Sequence, residues 1–403
     1  MSSPPTKTEL SEAEERFDRK GVLLIAAAHT VQDTFQGFLP PLLPLFIGTM
    51  ALTNARAGLL ALFLDLPSLL QPIFGHATDR GRLKALIYLS PGITAVMMSL
   101  LGIAPNYTAL VVLLLMAGIS RAVFHASGPA AVGHLSGRRL GHGMGMWMIG
   151  GQLGPSLGPL LVVGVVQLLG VRRLPWLMLP GILVSLLLFW QLRTMPTLPS
   201  RSNSSHAPMK QSLMTMAPLM LIVTALVATR AFLTSALSIY LPTFLTERGA
   251  ALWVAGASLS MTHLAGTVGV VFSGGLSDRF GRRTMLSIAY LCGPVLMLLF
   301  LASTGWAQVV ILFFLGLTAL STMSVLMAVV QESFPANRSL ANGLYLATTF
   351  VVQSAIAVAV GAIGDHVGLG RAFAGSALVM LCGLPLVRML PNSATRSPSP
   401  IAP

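Results

Sequence analysis

A histidine and an aspartate interrupt a strongly apolar run near the start of the chain. The run VLLIAAAHTVQDTFQGFLPPLLPLF covers residues 22–46 and contains His29 and Asp33. Side chains four residues apart lie on the same face of a helix. An ionisable group inside a membrane span costs about 2.5–3.5 kcal/mol and usually faces a partner or a wet cavity. A carboxyl group in such a place can take up and release a proton. Asp33 is therefore a candidate for proton transfer, and a permanent structural pair with Arg121 is the alternative.

Two arginines also fall within apolar runs, Arg121 and Arg230. A guanidinium is always charged, and its fork of donors suits an anionic or strongly polar ligand. The alternative is that each arginine only neutralises a buried acid, because Asp33 and Asp65 would balance the two charges. His125 lies one helical turn after Arg121 and can share its face. The predicted proton-coupling residues are His29, Asp33 and Asp65, and the predicted substrate-binding residues are Gln36, Arg121, His125, Arg230, Tyr240 and His263.

Other chemistries find little support in the sequence. The 21 methionines include the run MGMWM at 144–148, but residues two apart do not share a helix face, so we predict no metal site. The chain contains no H-E-x-x-H or G-x-x-x-x-G-K-[ST] motif, and its string GPSLG at 154–158 lies inside an apolar span, not in the strand-to-helix turn of a G-x-S-x-G catalytic constellation. We therefore expect neither an enzyme nor an ATP-driven pump, and no cofactor, which leaves the proton gradient as the energy source. An intramembrane enzyme or a lipid scramblase is the remaining alternative class.

The composition indicates an integral, all-α membrane protein. Of the 403 residues, 54% are hydrophobic and only 9% are charged, against roughly 25% charged residues in a soluble domain. A crossing helix needs about 20 mostly apolar residues. Twelve such spans are predicted, at 21–47, 55–76, 85–104, 107–130, 141–170, 174–194, 213–243, 251–275, 284–303, 306–331, 339–363 and 369–390.

The basic residues predict how the chain is oriented in the membrane. The net charge of +13 is not gathered in one patch, so nucleic acid is not an expected partner. Instead, 18 of the 25 Lys and Arg residues fall in the tails, the central linker and the even-to-odd loops, which predicts that both termini are cytoplasmic. The expected organisation is a tail at 1–20, six-helix bundles at 21–194 and 213–390 joined by a Pro- and Ser-rich linker at 195–212, and a tail at 391–403. We expect a monomer surrounded by membrane lipids.

The two halves repeat each other. GHATDRGRLK at 75–84 follows the second span and GGLSDRFGRRTML at 274–286 follows the eighth, so Asp79 and Asp278 lie 199 positions apart. Such duplication is common in secondary transporters, which bind substrate between the repeats near the midplane. A loop aspartate beside a helix N-terminus, with arginines that reach the other bundle, could lock one side of the protein. The alternative is that these arginines only set topology. The predicted cytoplasmic gate comprises Gly75, Asp79, Arg80, Arg82, Gly274, Asp278, Arg279, Gly281, Arg282 and Arg283.

These motifs resemble those of the major facilitator superfamily. The loop from Gly274 to Arg283 matches its signature G-x-x-x-D-R-x-G-R-R, whereas the loop from Gly75 lacks one residue after Arg80. The segment GGQLGPSLGP at 150–159 is similar to the Gly-Pro motif of the superfamily's exporters. Its glycines and prolines are expected to permit close helix packing. The predicted packing residues are Gly150, Gly154, Pro155, Gly158 and Pro159.

A narrower resemblance is to the fosmidomycin-resistance-like bacterial exporters. It rests on H-x-x-x-D at His29 and Asp33, LLQPIFGHATDR at 69–80, VFH at 123–125 and TRAF…YLPTFL at 229–245. Where this subfamily commonly carries Pro-Glu, Ala126 and Ser127 follow. The resemblance implies two pseudo-symmetric six-helix bundles in a bacterial inner membrane. It also implies an antiporter that exports a drug or metabolite in exchange for protons. Import of a small organic anion, by proton symport or by exchange, is the alternative.

Overall fold

The computed structural model describes residues 17–71, 73–74, 77, 84–192, 209–334 and 338–391. These residues are almost entirely helical, and no strand occurs among them, which confirms the predicted all-α fold.

Among the described residues before the linker, seven α-helices have defined bounds. They are α1 (Arg19–Gln36), α2 (Leu39–Met50), α3 (Asn54–Asp65), α4 (Lys84–Leu100), α5 (Tyr107–Ser136), α6 (Leu140–Leu169) and α7 (Met178–Leu192). Short 3₁₀ segments occupy Leu66–Leu70, Leu101–Ile103, Gly137–Arg139 and Val171–Leu177.

The described residues after the linker form eight α-helices. They are α8 (Met209–Ser235), α9 (Leu241–Glu247), α10 (Leu252–Phe280), α11 (Arg282–Ala302), α12 (Gly305–Ser333), α13 (Arg338–Val367), α14 (Leu369–Leu381) and α15 (Leu384–Met389). One turn of π-helix, Ala236–Tyr240, connects α8 to α9.

Within the described ranges, nine helical stretches are long and apolar enough to cross a membrane. They coincide with the nine predicted spans from 107–130 onward. The described residues of the first three predicted spans are helical, but their helices are broken or shorter. The first divides between α1 and α2 at Gly37, just before Pro40, and α3 gives way to a 3₁₀ turn that contains Pro67. Proline lacks the amide hydrogen that continues a helix.

Large apolar side chains cover much of the surface. Trp306 is 84% exposed, and Leu168, Leu221 and Phe272 are exposed as well. A water-facing protein surface rarely exposes so many large apolar side chains, whereas a lipid-facing surface normally does. The protein is therefore an integral membrane protein.

The chain forms two compact units. One comprises the described residues of Met1–Leu42 and Phe63–Asn203, and the other those of Leu43–Leu62 and Ser204–Pro403. The segment Leu43–Leu62 belongs by sequence to the first half but packs within the second unit.

In the first unit, glycines of α6 bring that helix against α1. A Cβ atom built on Gly150 would lie 2.4 Å from the carbonyl oxygen of Ala26, and one on Gly158 would lie 2.2 Å from that of Thr34. On Gly154 it would lie 2.6 Å from the Cβ of Asp33. Atoms cannot approach so closely, so only glycine permits this packing. The motif at 150–159 therefore holds the helix that carries Asp33.

In the second unit, buried tyrosines tie helices together. Tyr240 donates to the carbonyl oxygens of Asn54 at 3.0 Å and Ala357 at 2.8 Å. Its hydroxyl fits between Gly58 and Gly361, where a Cβ would approach it within 2.3 Å. The start of α3 is thereby fixed against α13, and both belong to this unit.

Candidate functional site

Asp33 is the centre of a buried polar cluster in the first unit. Its Oδ1 lies 3.1 Å from Nε2 of His125, and its Oδ2 lies 3.3 Å from Nε2 of His29. The Asp33 side chain is 14% exposed and that of His29 is 5% exposed. Three groups that exchange protons therefore meet inside one apolar helix bundle, and two of them lie on α1, four residues apart as the sequence predicts.

The orientation of His29 follows from its contact with Trp147. Nδ1 of His29 lies 2.9 Å from the Trp147 carbonyl oxygen, and the two rings stack with centroids 3.7 Å apart. A carbonyl oxygen only accepts hydrogen bonds, so Nδ1 carries a proton and donates it. Nε2 of His29 therefore faces the Asp33 carboxylate and has no partner with hydrogen-bond geometry among the described residues. This nitrogen is placed to exchange a proton with Asp33.

Glycines of α6 also make room for the side chains of the Asp33 cluster. A Cβ on Gly151 would lie 2.3 Å from Cε1 of His29, and one on Gly154 would strike Asp33. Because α6 presents no side chain here, the imidazole and the carboxylate fit against its backbone.

Arg121 pairs with Asp65 rather than with Asp33. Its NH2 lies 2.7 Å from Oδ1 of Asp65 and donates to Oγ of Ser68 at 2.9 Å. Its NH1 donates to Oε1 of Gln36 at 2.8 Å. The histidines, not Arg121, are the basic partners of Asp33, so the Asp33–Arg121 pair considered from sequence is not the arrangement found. Arg121 is neutralised within the first unit.

Arg230 has a different environment, in the second unit. Arg230 is 2% exposed, and its NH1 donates a hydrogen bond to Oγ1 of Thr322 at 3.3 Å. Nε of Arg230 has no hydrogen-bond partner, and no carboxylate forms an ion pair with it among the residues that the structure describes.

Two other predicted substrate-binding residues also lie in the second unit. Tyr240 is fully buried and occupied by its two carbonyl acceptors. His263 lies partly buried on α10. Among the described residues, neither forms a polar contact with Arg230, so these residues do not assemble into one cluster as Asp33 and its histidines do.

The second signature loop forms an ion-pair cluster. Arg282 pairs with Asp278 and with Oε1 of Glu332, the latter at 2.7 Å. Arg283 donates from Nε to the carbonyl oxygen of Leu390 at 2.7 Å, and Gly281 has φ of 89°. All these contacts lie within the second unit. The predicted gate residues Gly75, Asp79, Arg80 and Arg82 lie outside the described residues.

Sequence reasoning missed four contributing residues: Ser68, Trp147, Thr322 and Glu332. Trp147 lies in the MGMWM run at 144–148, and the run itself gives no signal that the tryptophan contacts His29. Glu332 directly follows the tenth predicted span. An acid at the end of a span can pair with the basic loop that contains Arg282, and this was the signal available in the sequence. Ser68 and Thr322 are ordinary helix hydroxyls, and the sequence offers no signal for them.

Comparison with known proteins places these observations in a family. The model of the Major Facilitator Superfamily matches residues 25–305 and 264–402. An uncharacterised transporter of this type, YfnC of Bacillus subtilis (strain 168), is 25% identical over 386 residues, 92% of each chain. The fosmidomycin resistance protein of Escherichia coli (strain K12) is 25% identical over 378 residues, again 92% of each.

Solved structures share the fold. A variant of the nucleoside transporter NupG superposes with a TM-score of 0.74 at 14% identity, over 91% of this chain and 99% of its own. A bacterial homologue of the human lysosomal transporter Spinster, inward-facing and unoccupied, gives 0.70 at 14% identity, over 92% of this chain and 95% of its own. The family model spans nearly the whole described chain, and the resemblance seen in the signature loops is confirmed. The chain belongs to the Major Facilitator Superfamily.

Proposed function

We propose that the protein is a secondary transporter that exports a small molecule in exchange for protons. The observation that carries the proposal is the contact of the Asp33 carboxylate with two imidazoles inside a membrane-spanning bundle. Ionisable groups in such places are costly and mark proton relays and substrate paths. The cluster needs no metal or cofactor to accept and release a proton.

The proton step uses the geometry around His29. With Nδ1 held by the Trp147 carbonyl, Nε2 of His29 can carry a proton toward Oδ2 of Asp33. When the proton sits on the carboxyl group, Asp33 loses its charge and the His29–Asp33 pair loses its ionic attraction. The protonated and deprotonated forms thus stabilise different arrangements of α1, α5 and α6, and a population shift follows.

The similarity to a resistance protein supports export as the direction of transport. The name of the Escherichia coli relative states resistance to fosmidomycin, and a transporter confers resistance most directly by removing a compound from the cell. The Gly-Pro motif at 150–159 packs α6 against the helix of Asp33, which is consistent with a role in exchange. We propose residence in a bacterial cytoplasmic membrane, with both termini cytoplasmic, as a monomer.

The Arg282 cluster is proposed as part of a cytoplasmic gate. Arg282 joins the end of α10, through Asp278, to the end of α12, through Glu332. Such a cluster keeps these two helix ends together, and its loss would loosen one side of the second bundle.

Everted membrane vesicles test direction and coupling together. With an acidic interior, vesicles that contain the protein should accumulate an exported compound, and a protonophore should abolish the gradient-driven part. Fosmidomycin and a panel of antibiotics and small organic anions serve as probes. Accumulation only in right-side-out vesicles would contradict export and favour the alternative, an importer of a small organic anion, which the buried Arg230 supports. Counterflow with and without a pH gradient then separates symport from exchange.

A further inference from the structure

The two halves contain side-chain contacts at matching positions, centred on an acid in the first half and on a base in the second. His125 contacts Asp33 across 92 positions of the first half, and Thr322 contacts Arg230 across 92 positions of the second. Positions 230 and 322 follow positions 33 and 125 by the same 197 residues, close to the repeat spacing of the two signature loops. Each contact joins the first span of its half to the fourth. Arg230 is therefore the counterpart, in the second half, of Asp33.

Arg230 lacks the compensation that a buried charge needs. The guanidinium offers five N–H donors. Among the described residues, the only acceptor of a hydrogen bond from it is Oγ1 of Thr322, at 3.3 Å. Nε is buried without a partner. A buried charge without an opposite charge is strongly destabilising, so a permanently charged side chain kept there implies a use.

Arg121 provides the contrast. That arginine is equally buried, but Asp65, Gln36 and Ser68 satisfy its terminal nitrogens. Its charge is balanced by the Asp65 carboxylate inside the same unit. The two arginines, which look alike in the sequence, thus have different surroundings. Of the two, only Arg230 retains free donors and an unbalanced charge among the described residues.

We propose that Arg230, with Thr322 beside it, binds the anionic group of the transported molecule. The planar fork matches an oxyanion such as a carboxylate, phosphonate or phosphate, which can accept two parallel N–H bonds. Thr322 also lines a crevice of about 150 Å³ between α10, α11 and α12. This assignment rests on the proposed transport function and names its substrate class, a small organic anion.

Anion binding to purified protein tests the assignment without a pH gradient. The unfolding temperature of the detergent-solubilised protein is measured against methylphosphonate, inorganic phosphate and acetate, with sodium chloride at matched ionic strength as the reference. The variants are Arg230→Gln, Arg230→Lys and Thr322→Val. Arg172→Gln, which removes an exposed arginine, is the charge-matched control.

At least one of the three anions should stabilise the parent and the Arg172→Gln control. Arg230→Gln should need about tenfold or more of that anion for the same shift, because a charge-assisted hydrogen bond is lost. Arg230→Lys should keep part of the response, and Thr322→Val should weaken it. Without anion, Arg230→Gln should unfold no earlier than the parent, because it removes an unbalanced buried charge.

Equal responses of the parent and Arg230→Gln, or no response of the parent to any of the three anions, would overturn the assignment. So would a loss of folding in Arg230→Gln, since that would make Arg230 a structural residue. Failure of the proposed proton coupling would show differently, as undiminished gradient-driven transport by an Asp33 variant, which these binding measurements do not involve.

Discussion

His29 donates from Nδ1 to the backbone carbonyl of Trp147 at 2.9 Å, and the rings of these two residues stack. The contact fixes which imidazole nitrogen faces Asp33. A histidine that exchanges protons needs such a fixed tautomer, because a free ring would turn and present either nitrogen.

The stacking contact predicts an effect of Trp147 on proton coupling. Trp147→Phe keeps an aromatic ring against His29 and should retain most transport. Trp147→Ala removes the ring and should lower gradient-driven transport several-fold and shift its pH profile, because His29 loses its stacking partner and is held by the backbone carbonyl alone. Both are measured in proteoliposomes from pH 5.5 to 8.5. The backbone carbonyl remains in both variants, so equal pH profiles would show that stacking does not position His29.

The glycine contact between α6 and α1 predicts a steric effect on Asp33. A Cβ on Gly154 would lie 2.6 Å from Asp33 Cβ, whereas one on Gly145 of the same helix meets nothing within 4 Å. Gly154→Ala should lower the unfolding temperature and displace Asp33, with loss of transport. Gly145→Ala should be neutral or stabilising, by up to about 1 kcal/mol from helix propensity. Thermal unfolding of both variants is the measurement, and equal behaviour would contradict the packing described for α1 and α6.

The start of α3 is held by the carboxylate of Asp365. Oδ1 accepts from the amide of Asn54 at 2.6 Å and Oδ2 from that of Ala55 at 2.9 Å. A carboxylate at a helix N-terminus satisfies free amides and interacts with the helix dipole. Asp365→Ala should therefore increase the solvent accessibility of a cysteine placed at Leu52, which is buried beside the start of α3, measured by maleimide labelling. The neighbouring exposed His366→Ala is the control, and equal labelling in both variants would refute this role.

The Arg282 cluster predicts non-additive effects. Arg282 is 9% exposed and pairs with two acids. Glu332→Gln and Asp278→Asn should each cost little, because the other acid still balances the charge. The double variant should cost more than the sum, because a largely buried guanidinium loses both partners. Thermal unfolding of the three variants measures the coupling. Additive losses would mean that the two acids act independently.

Much of the fold was predictable because it depends on composition and length. Apolar runs of about 20 residues predict crossing helices, and nine of them lie where the sequence predicts. The first span is less regular, because Gly37 and the prolines after it divide the run into α1 and α2. The packing of Leu43–Leu62 within the second unit depends on contacts such as that of Tyr240 with Asn54, and no local pattern encodes it.

The site was predictable where its residues share one helix. His29 and Asp33 lie four positions apart, so their proximity follows from helix geometry. Arg121 and His125 share one face of α5, so which of them reaches Asp33 depends on the position of that helix along its axis, and a shift of one turn selects His125 rather than Arg121. The same limit applies to Glu332, whose partner Arg282 lies on a different helix.

The most direct test of the account compares Asp33→Asn with the parent in proteoliposomes. Asp18→Asn is the matched control, because Asp18 is exposed and caps α1 through Gly21, a bond that asparagine can also make. Substrate counterflow, which needs no net proton movement, should persist in all three proteins. Uphill transport driven by an imposed pH gradient should fall to background in Asp33→Asn alone. Uphill transport by Asp33→Asn at the parental rate would contradict the assignment of proton coupling to Asp33.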